Sequence, residues 1–236
     1  MTSITDATFF KLLKDKFPHD PTAKQSVALQ KLASFVLSKE KESVFMLKGF
    51  AGTGKTTIVG TIVTNLWKTT MKAVLMAPTG RAAKVMSNYS GTQAFTIHRK
   101  IYFPKKQSGG GVQFVLSPNK HRNTIFIVDE ASMIPDTPTD SKLMENGSLL
   151  DDLLMYVYSG NNCKLILIGD TAQLPPVHLN ISPALDENQL ALNYNKEVIK
   201  LELDEVVRQA EDSGILVNAT NLREQLQSEF FDDFKF

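Results

Sequence analysis

The segment GFAGTGKT at residues 49–56 constrains the fold of this chain more than any other feature. It fits the pattern G-x-x-x-x-G-K-[ST] and follows an apolar segment, SVFMLKG at 43–49; an amphipathic segment begins at its end. Glycines let backbone N–H groups turn inward around phosphate oxygens, and the helix N-terminus adds its dipole. A strand, this loop and a helix in that order predict the phosphate-binding unit of a P-loop NTPase.

The residue types in this loop predict how a nucleotide would be held. Lys55 is the cation that reaches the β- and γ-phosphates, and Thr56 supplies a hydroxyl ligand for Mg²⁺. We therefore expect ATP and Mg²⁺ as cofactors. The predicted nucleotide-binding residues of the loop are Gly49, Gly52, Thr53, Gly54, Lys55, Thr56 and Thr57.

Two acidic residues end the apolar segment TIFIVDE at 124–130. Parallel sheets bind ligands at the carboxyl ends of their strands, which would bring this pair close to the phosphate loop. Asp129 is then expected to bind Mg²⁺, directly or through water. Glu130 is expected to orient or deprotonate the attacking water, a role that a small-molecule kinase does not need. The pair therefore favours ATP hydrolysis.

Apolar segments of strand length alternate with segments of helical periodicity along the chain. The predicted strands include 43–49, 73–78, 124–130 and 164–170, separated by helices that include 79–88 and 149–158. This alternation predicts an α/β fold with three layers, in which a central parallel sheet is buried on both faces. Residues 101–123 break the alternation and read as a small hairpin insertion.

Gln25 has two interpretations that the sequence leaves open. The segment Thr22-Ala23-Lys24-Gln25 fits a capping box, in which the glutamine bonds back to the start of the helix. A glutamine amide also offers the donor and acceptor pair that reads adenine, and both roles can coexist.

Composition and charge exclude some classes of protein. The 236 residues carry a net charge of +1, so no global basic field indicates a nucleic-acid partner, although a local groove can still be basic. Cys163 is the only cysteine and is expected to be a buried, inert thiol, which excludes a disulfide framework. Neither a secretory signal nor an apolar run of membrane-spanning length is present, so we expect a soluble, cytoplasmic protein.

Seven segments, taken in order, resemble the conserved blocks of superfamily 1 helicases, and most closely those of the RecD/Dda/Pif branch, which moves 5′ to 3′ on single-stranded DNA. The resemblance covers roughly residues 20–225 and implies a RecA-like motor domain. The segments are PTAKQ, GFAGTGKTT, APTGRAAK, TIHR, IVDEASMI, GDTAQLPPV and LDEVVRQ.

The resemblance adds roles that the residue types alone do not give. It implies that Gln25 reads adenine, that Gln173 senses the γ-phosphate and that Arg208 contacts the γ-phosphate. It assigns Lys55, Thr56, Asp129 and Glu130 the roles described above. It also implies a single-stranded DNA partner, bound along Pro78, Thr79, Arg81, Thr96 and His98. The insertion 101–123 occupies the place of the subdomain that carries the strand-separating pin.

Aromatic rings near the implied DNA track have alternative interpretations. Phe95, Tyr102 and Phe103 are candidate stacking platforms for bases, but core packing is the alternative for each of them. Phe95 in particular is expected to alternate into the sheet, and His98 could be a structural hydrogen-bonding residue.

The segment LILIGDTAQLPPV at 165–177 is predicted to couple ATP to DNA. Its strand should deliver Asp170 and Gln173 to the carboxyl edge of the sheet, and Pro175 and Pro176 fix the backbone just beyond them. A small shift of Gln173 would then be passed along a stiff segment.

We expect the chain to divide into three parts. Residues 1–21 are predicted to form an N-terminal helix, and the resemblance implies the RecA-like ATPase domain in 22–208 and a helix leading toward a second RecA-like domain in 209–236. The family needs that second domain as a partner, because it supplies an arginine finger worth about 10³–10⁵ in rate. We therefore expect the isolated chain to hydrolyse ATP poorly and not to translocate.

Two hypotheses from different classes follow. The first is the ATP-binding first motor domain of an ATP-dependent DNA helicase. The second is a free-standing, ATP-controlled module that binds single-stranded DNA without moving along it. A small-molecule kinase is disfavoured by DEAS, GDTAQLPP and TIHR.

Overall fold

The computed structural model describes residues 4–106, 112–135, 148–170, 172–173 and 182–205. Its strands are β1 (Ser43–Gly49), β2 (Lys72–Ala77), β3 (Ala94–Thr96), β4 (Tyr102–Lys106), β5 (Val112–Leu116), β6 (Arg122–Val128), β7 (Asn161–Gly169) and β8 (Glu197–Leu203). Its helices are α1 (Asp6–Asp15), α2 (Ala23–Leu37), α3 (Lys55–Asn65), α4 (Gly80–Ser90), α5 (Ile97–Ile101), α6 (Leu149–Tyr158) and α7 (Glu187–Tyr194). Short 3₁₀ turns lie at Leu66–Lys68, Ala131–Met133 and Pro183–Leu185.

Six strands form one sheet in the order β3-β2-β6-β7-β1-β8. Every pairing in this sheet is parallel, so all six carboxyl ends lie at one edge. The phosphate loop follows β1 at that edge, and Asp129-Glu130 follow β6 there. The expected fold, a three-layer P-loop NTPase with a central parallel sheet, is confirmed.

Helices cover both faces of the sheet and create two apolar cores. In one core, the helices α1, α2, α3 and α4 pack on one face of the sheet, against residues such as Phe45, Leu47 and Ile166. In the other core, the helices α5, α6 and α7 pack on the opposite face, against the strand residues that alternate with these, such as Met46 and Leu167. Because successive side chains of a strand point to opposite faces, central strands that are buried on both sides are mostly apolar, as β1 and β7 are.

Like Lys48 of β1, Lys164 of β7 is a charged exception within these buried strands. Its side chain is almost fully buried, and its ammonium donates to the carbonyl oxygens of Phe35 and Ser38 at 2.6 and 2.7 Å and to Ser38 Oγ at 2.6 Å. These acceptors lie at the C-terminal end of α2, where helix carbonyls lack partners within the helix. Lys164 therefore fastens the end of α2 to the middle of the sheet.

The insertion is a two-stranded antiparallel hairpin of β4 and β5. It is narrower than the predicted range 101–123, because Ile101 ends α5 and β6 already begins at Arg122. Tyr102 anchors the base of the hairpin, since its hydroxyl donates to Asp152 Oδ2 of α6 at 2.7 Å. Tyr102 is only 7% exposed, so core packing is the correct interpretation of its ring.

Three further features differ from the sequence-based expectations or extend them. In α1 the buried aromatic residue is Phe9, whereas the adjacent Phe10 is only partly buried. The edge strand β8 and helix α7 were not predicted at all. Cys163 is buried, and burial raises the pKa of its thiol, as expected of an inert residue.

Within the part of the chain that the structure describes, no helix is both long enough and apolar enough to cross a membrane.

Candidate nucleotide-binding site

A cavity of about 540 Å³ opens at the carboxyl edge of the sheet. It brings together the phosphate loop, the acidic pair after β6 and the polar residues after β7, which together span more than 100 positions in the sequence. The residues that line it are His19, Phe50, Ala51, Gly52, Gly54, Lys55, Thr56, Thr57, Asp129, Glu130, Gly169, Asp170 and Gln173.

The phosphate loop has the backbone that its glycines allow. Gly52 and Gly54 have φ angles of 80° and 87°, in the left-handed region that side chains with a Cβ disfavour. Gly54 is the N-cap of α3, which begins at Lys55. The loop therefore leads directly into a helix N-terminus that faces the cavity, an arrangement suited to anions.

The Lys55 ammonium rests on the loop itself. It donates to the carbonyl oxygens of Gly49 and Phe50 at 2.6 and 2.8 Å. Thr53 is 1% exposed and donates from Oγ1 to the same Phe50 carbonyl at 2.8 Å, so its side chain shapes the loop from inside. Thr56 and Thr57 line the cavity in the first turn of α3.

Gln25 forms the capping box of α2. Its backbone N–H donates to Thr22 Oγ1 at 3.3 Å, and its Oε1 accepts from the Thr22 N–H at 3.1 Å. Its side-chain NH₂ donates to the carbonyl of Thr53 in the phosphate loop at 3.0 Å. Gln25 is completely buried, and the structure shows the capping role and a loop-supporting role; its reading of adenine stays a prediction.

The carboxylate of Asp129 is held at both oxygens. Oδ1 accepts the backbone N–H of Glu130, and Oδ2 accepts the hydroxyl of Tyr89 from α4, each at 2.9 Å. Burial, and then the Asp129 charge, raise the pKa of the Tyr89 phenol, so this group keeps its proton and donates it. Tyr89 was not among the residues predicted for the site.

Glu130 combines an unusual backbone with an unusual carboxyl environment. Its φ and ψ angles of 57° and 36° are left-handed, which is rare for a residue that is not glycine. Burial and the neighbouring Asp129 raise the pKa of its carboxyl, whereas a hydrogen bond with Gln173 and the Lys55 charge oppose that rise. A carboxylate with a raised pKa is a stronger base, which suits the abstraction of a proton from water.

Gln173 lies between the acidic pair and the end of β7. Its Oε1 accepts the hydroxyl of Ser132 at 3.0 Å, and the side chain lies close enough to Glu130 to lower the pKa of that carboxyl. Its backbone N–H donates to the carbonyl of Asp170 at 3.3 Å, and Asp170 Oδ1 accepts the backbone N–H of Ala172 at 2.8 Å. Ser132, which is 2% exposed, thus fixes which end of the amide faces Glu130.

The donor set at this edge fits Mg²⁺ and a nucleotide. Thr56 and Asp129, the expected metal ligands, line one cavity with Lys55. In the described ranges no group of three or more His, Cys, Asp or Glu side chains could enclose a metal ion. A few oxygen donors beside a phosphate loop suit Mg²⁺, which keeps several waters and takes further ligands from phosphates.

The five residues expected to contact DNA lie at the same edge of the sheet but apart from the cavity lining. Pro78 and Thr79 follow β2, and Thr79 caps α4 by accepting the Ala82 N–H at 3.2 Å. Arg81 is exposed in the first turn of α4.

The other two expected DNA contacts lie at α5. Thr96 ends β3 and caps α5, because its Oγ1 accepts the Arg99 N–H at 3.2 Å. The centre of the His98 ring lies 5.8 Å from that of Tyr102, and partial burial lowers the pKa of His98.

The two other aromatic candidates remain available to a ligand. Phe103 is 40% exposed on β4. Phe95 is half-buried, and the Lys100 ammonium lies 5.2 Å from the centre of its ring. An aromatic face beside a cation is typical of surfaces that bind single-stranded nucleic acid.

Sequence reasoning missed three residues at the site and named others that lie outside the described ranges. His19, Tyr89 and Ser132 were not predicted, although Ser132 stands two positions after Glu130 in DEAS and could have been found there. Arg208, Pro175 and Pro176 lie outside the described residues, as does the segment 209–236.

The chain is similar to known proteins over most of its length. The family model for an AAA domain matches residues 22–235. The chain is 31% identical over 226 residues to the ATP-dependent RecD2 DNA helicase of Deinococcus radiodurans, covering 92% of this chain and 28% of that protein. It is 31% identical over 188 residues to the ATP-dependent DNA helicase dda of Enterobacteria phage T4, covering 78% of this chain and 39% of that protein.

A solved structure of Bacteroides sp Pif1 in complex with ADP-AlF4 has a TM-score of 0.48 at 20% identity, covering 88% of this chain and 46% of that one. This chain spans less than half the length of each of these three relatives.

The parallel sheet, the phosphate loop and the acidic pair define a P-loop NTPase domain. The chain belongs to the AAA domain family, and its blocks place it with the RecD/Dda/Pif-like motor domains of superfamily 1 helicases.

Proposed function

We propose that this chain is the ATP-binding first motor domain of an ATP-dependent DNA helicase that unwinds DNA by moving along a single strand. ATP with Mg²⁺ binds in the cavity at the carboxyl edge of the sheet, and a second RecA-like domain completes the site. The proposal retains the cytoplasmic location expected from the sequence.

One observation carries this proposal. The cavity unites the phosphate loop with Glu130 and with Gln173, and the Gln173 side chain lies close enough to Glu130 to act on the pKa of its carboxyl. A kinase needs a site for an acceptor substrate, whereas a carboxylate of raised basicity beside the phosphate loop suits water as the nucleophile. The relatives named as ATP-dependent DNA helicases point to the same chemistry.

Each residue has a defined part in this proposal. The loop amides and Lys55 bind the phosphates, and Thr56 and Asp129 hold the metal ion. Mg²⁺, when bound, neutralises charge on the β- and γ-phosphate oxygens. Glu130 orients the attacking water and accepts its proton. Gln173 responds to the γ-phosphate. Its amide contacts Ser132 and lies beside Glu130, so a shift of the amide changes the surroundings of both side chains.

DNA binding is proposed for the surface formed by the ends of β2 and β3 and the base of the hairpin. Thr79, Arg81 and Thr96 lie there with Lys100 beside the ring of Phe95. Hydroxyls and cations grip the phosphates of a single strand, and exposed rings such as Phe103 stack on bases.

Replacing Lys55 with Ala tests the nucleotide site. The loss of the ammonium that faces the phosphates should weaken ATP binding by at least about tenfold, because a hydrogen bond to a charged group contributes about 1.5–3 kcal/mol. Equilibrium titration with a fluorescent ATP analogue measures this. Lys72→Ala, at the exposed start of β2, is the control and should bind like the wild type. Equal affinity of the Lys55 variant would contradict the assignment.

The helicase assignment itself is tested by unwinding of a tailed duplex. The full-length protein should separate the strands with ATP and should stop when Lys55 is replaced. Tight, ATP-dependent binding of single-stranded DNA by the full-length protein, with neither ATP turnover nor unwinding, would instead support a binding module.

Replacing Gln173 with Ala should uncouple the two ligands of the motor. The variant removes the amide that joins Ser132 to Glu130 but leaves the metal and phosphate ligands in place. ATP affinity and DNA affinity should each stay near wild type, and the stimulation of ATP hydrolysis by DNA should fall, because that stimulation is a coupling energy between sites. Steady-state hydrolysis with and without single-stranded DNA measures it. Undiminished stimulation would refute the sensor role.

A further inference from the structure

The phenol of Tyr89 reaches the metal carboxylate from another element of the fold. Tyr89 stands in the last turn of α4, forty positions before Asp129, and its hydroxyl donates to Asp129 Oδ2 at 2.9 Å. Helical side chains lean toward the N-terminus of their helix, which here is the carboxyl edge of the sheet. The ring packs against the core between the sheet and α1 to α4.

This contact completes the fixing of the Asp129 side chain. With the Glu130 N–H on Oδ1 and the Tyr89 hydroxyl on Oδ2, the plane of the carboxylate is set from both sides. Each carboxylate oxygen has two acceptor sites, so one remains at each oxygen for a metal ion or for the waters of a metal ion.

We propose that Tyr89 is a positioning residue for magnesium, which holds the Asp129 carboxylate in the orientation that the Mg²⁺–nucleotide complex requires. This inference rests on the proposed function, because it assumes a magnesium nucleotide in the cavity. Mg²⁺ demands a nearly ideal octahedral arrangement, so a ligand that is already oriented loses less freedom on binding. Hydrogen bonds to metal-binding carboxylates typically contribute about 10–100-fold to metal affinity or activity.

The substitution Tyr89→Phe removes only the hydroxyl and keeps the ring in its packing. A matched control is Tyr158→Phe, because the Tyr158 hydroxyl donates at 2.8 Å to the carbonyl of Ser43, the first residue of β1 at the opposite edge of the sheet. Both variants lose one partly buried phenol hydrogen bond, but only the first loses a bond to Asp129.

The experiment is a calorimetric titration of the chain with ADP at a series of Mg²⁺ concentrations. For Tyr89→Phe we expect the Mg²⁺ concentration that gives half of the gain in ADP affinity to rise by about tenfold, at the lower end of the range for such contacts. ADP affinity in EDTA should match the wild type, and Tyr158→Phe should match it throughout. A Mg²⁺ dependence of Tyr89→Phe that superimposes on the wild type overturns the inference.

A second pair of variants tests whether Tyr89 acts through Asp129. In an Asp129→Asn background the hydroxyl has no carboxylate to orient, so adding Tyr89→Phe should leave the Mg²⁺ dependence unchanged. Full additivity of the two effects would overturn the inference. If the wild-type chain binds no ADP with or without Mg²⁺, the proposed function fails, and this inference fails with it.

Discussion

Replacing Glu130 with Gln should lower the rate of ATP hydrolysis by about 10²–10⁴-fold, which is the usual contribution of a general base. The amide keeps the size of the carboxyl and can still hydrogen-bond to Gln173, but it cannot accept a proton from water. Nucleotide affinity should stay close to wild type, because the phosphate ligands and the metal ligands are untouched. Steady-state ATP hydrolysis and analogue binding by the full-length protein, with single-stranded DNA present, measure the two quantities.

Glu197→Gln is the matched control for this prediction. Glu197 is an exposed glutamate at the start of β8, at the edge of the sheet away from the cavity. Its replacement removes the same charge and should leave hydrolysis unchanged. Retention of full turnover by Glu130→Gln would refute the assignment of the base, whereas a parallel loss of affinity would show that Glu130 mainly holds the nucleotide.

The substitution Lys164→Met should reduce the free energy of unfolding by about 2–3 kcal/mol. Methionine fills similar space, but it leaves the carbonyls of Phe35 and Ser38 without the ammonium that satisfies them. A buried acceptor that loses its partner costs about 1–3 kcal/mol. Urea unfolding of the chain measures the change, and Lys72→Met, on an exposed strand position, should remain within about 0.5 kcal/mol of the wild type.

The same substitution should show a characteristic pH dependence. Burial lowers the pKa of the Lys164 ammonium to about 8, from 10.5 for an ordinary lysine. Between these values the unfolded chain binds more protons than the folded chain, so the stability contributed by Lys164 rises as the pH increases from about 8 to about 10.5. The difference in unfolding free energy between the wild type and Lys164→Met should therefore widen over that window. A constant difference would contradict the lowered pKa.

The parts of the fold that could be predicted are those encoded locally. The continuous apolar segments gave β1, β6 and β7, and the glycine pattern gave the loop before α3. Strand β8 was missed because it lies at the edge of the sheet, and exposed charged residues interrupt its apolar pattern. Phe9 and Phe10 are adjacent aromatics, and only packing against α2 decides which of them is buried.

At the site, residues that belong to a recognisable sequence motif could be predicted. Residues that are identified only by a contact with a distant part of the chain could not. A lysine after glycines or an acid after an apolar strand is visible in the sequence. The contact of Tyr89 with Asp129 spans forty positions, and that of Tyr102 with Asp152 spans fifty. Nothing near Tyr89 indicates a partner, and Tyr102 was considered for base stacking because its buried carboxylate partner is invisible without the fold.

The left-handed backbone of Glu130 implies a lasting conflict between folding and activity in this domain. For a residue with a Cβ this conformation costs roughly 1–2 kcal/mol of free energy, whereas for glycine the cost is close to zero. A chain selected for durability alone would therefore carry glycine at position 130 and would lose the carboxylate that faces the cavity. Glutamate at this position therefore lowers the free energy of unfolding relative to glycine. Position 130 is one where a substitution can make the protein harder to unfold and at the same time inactive.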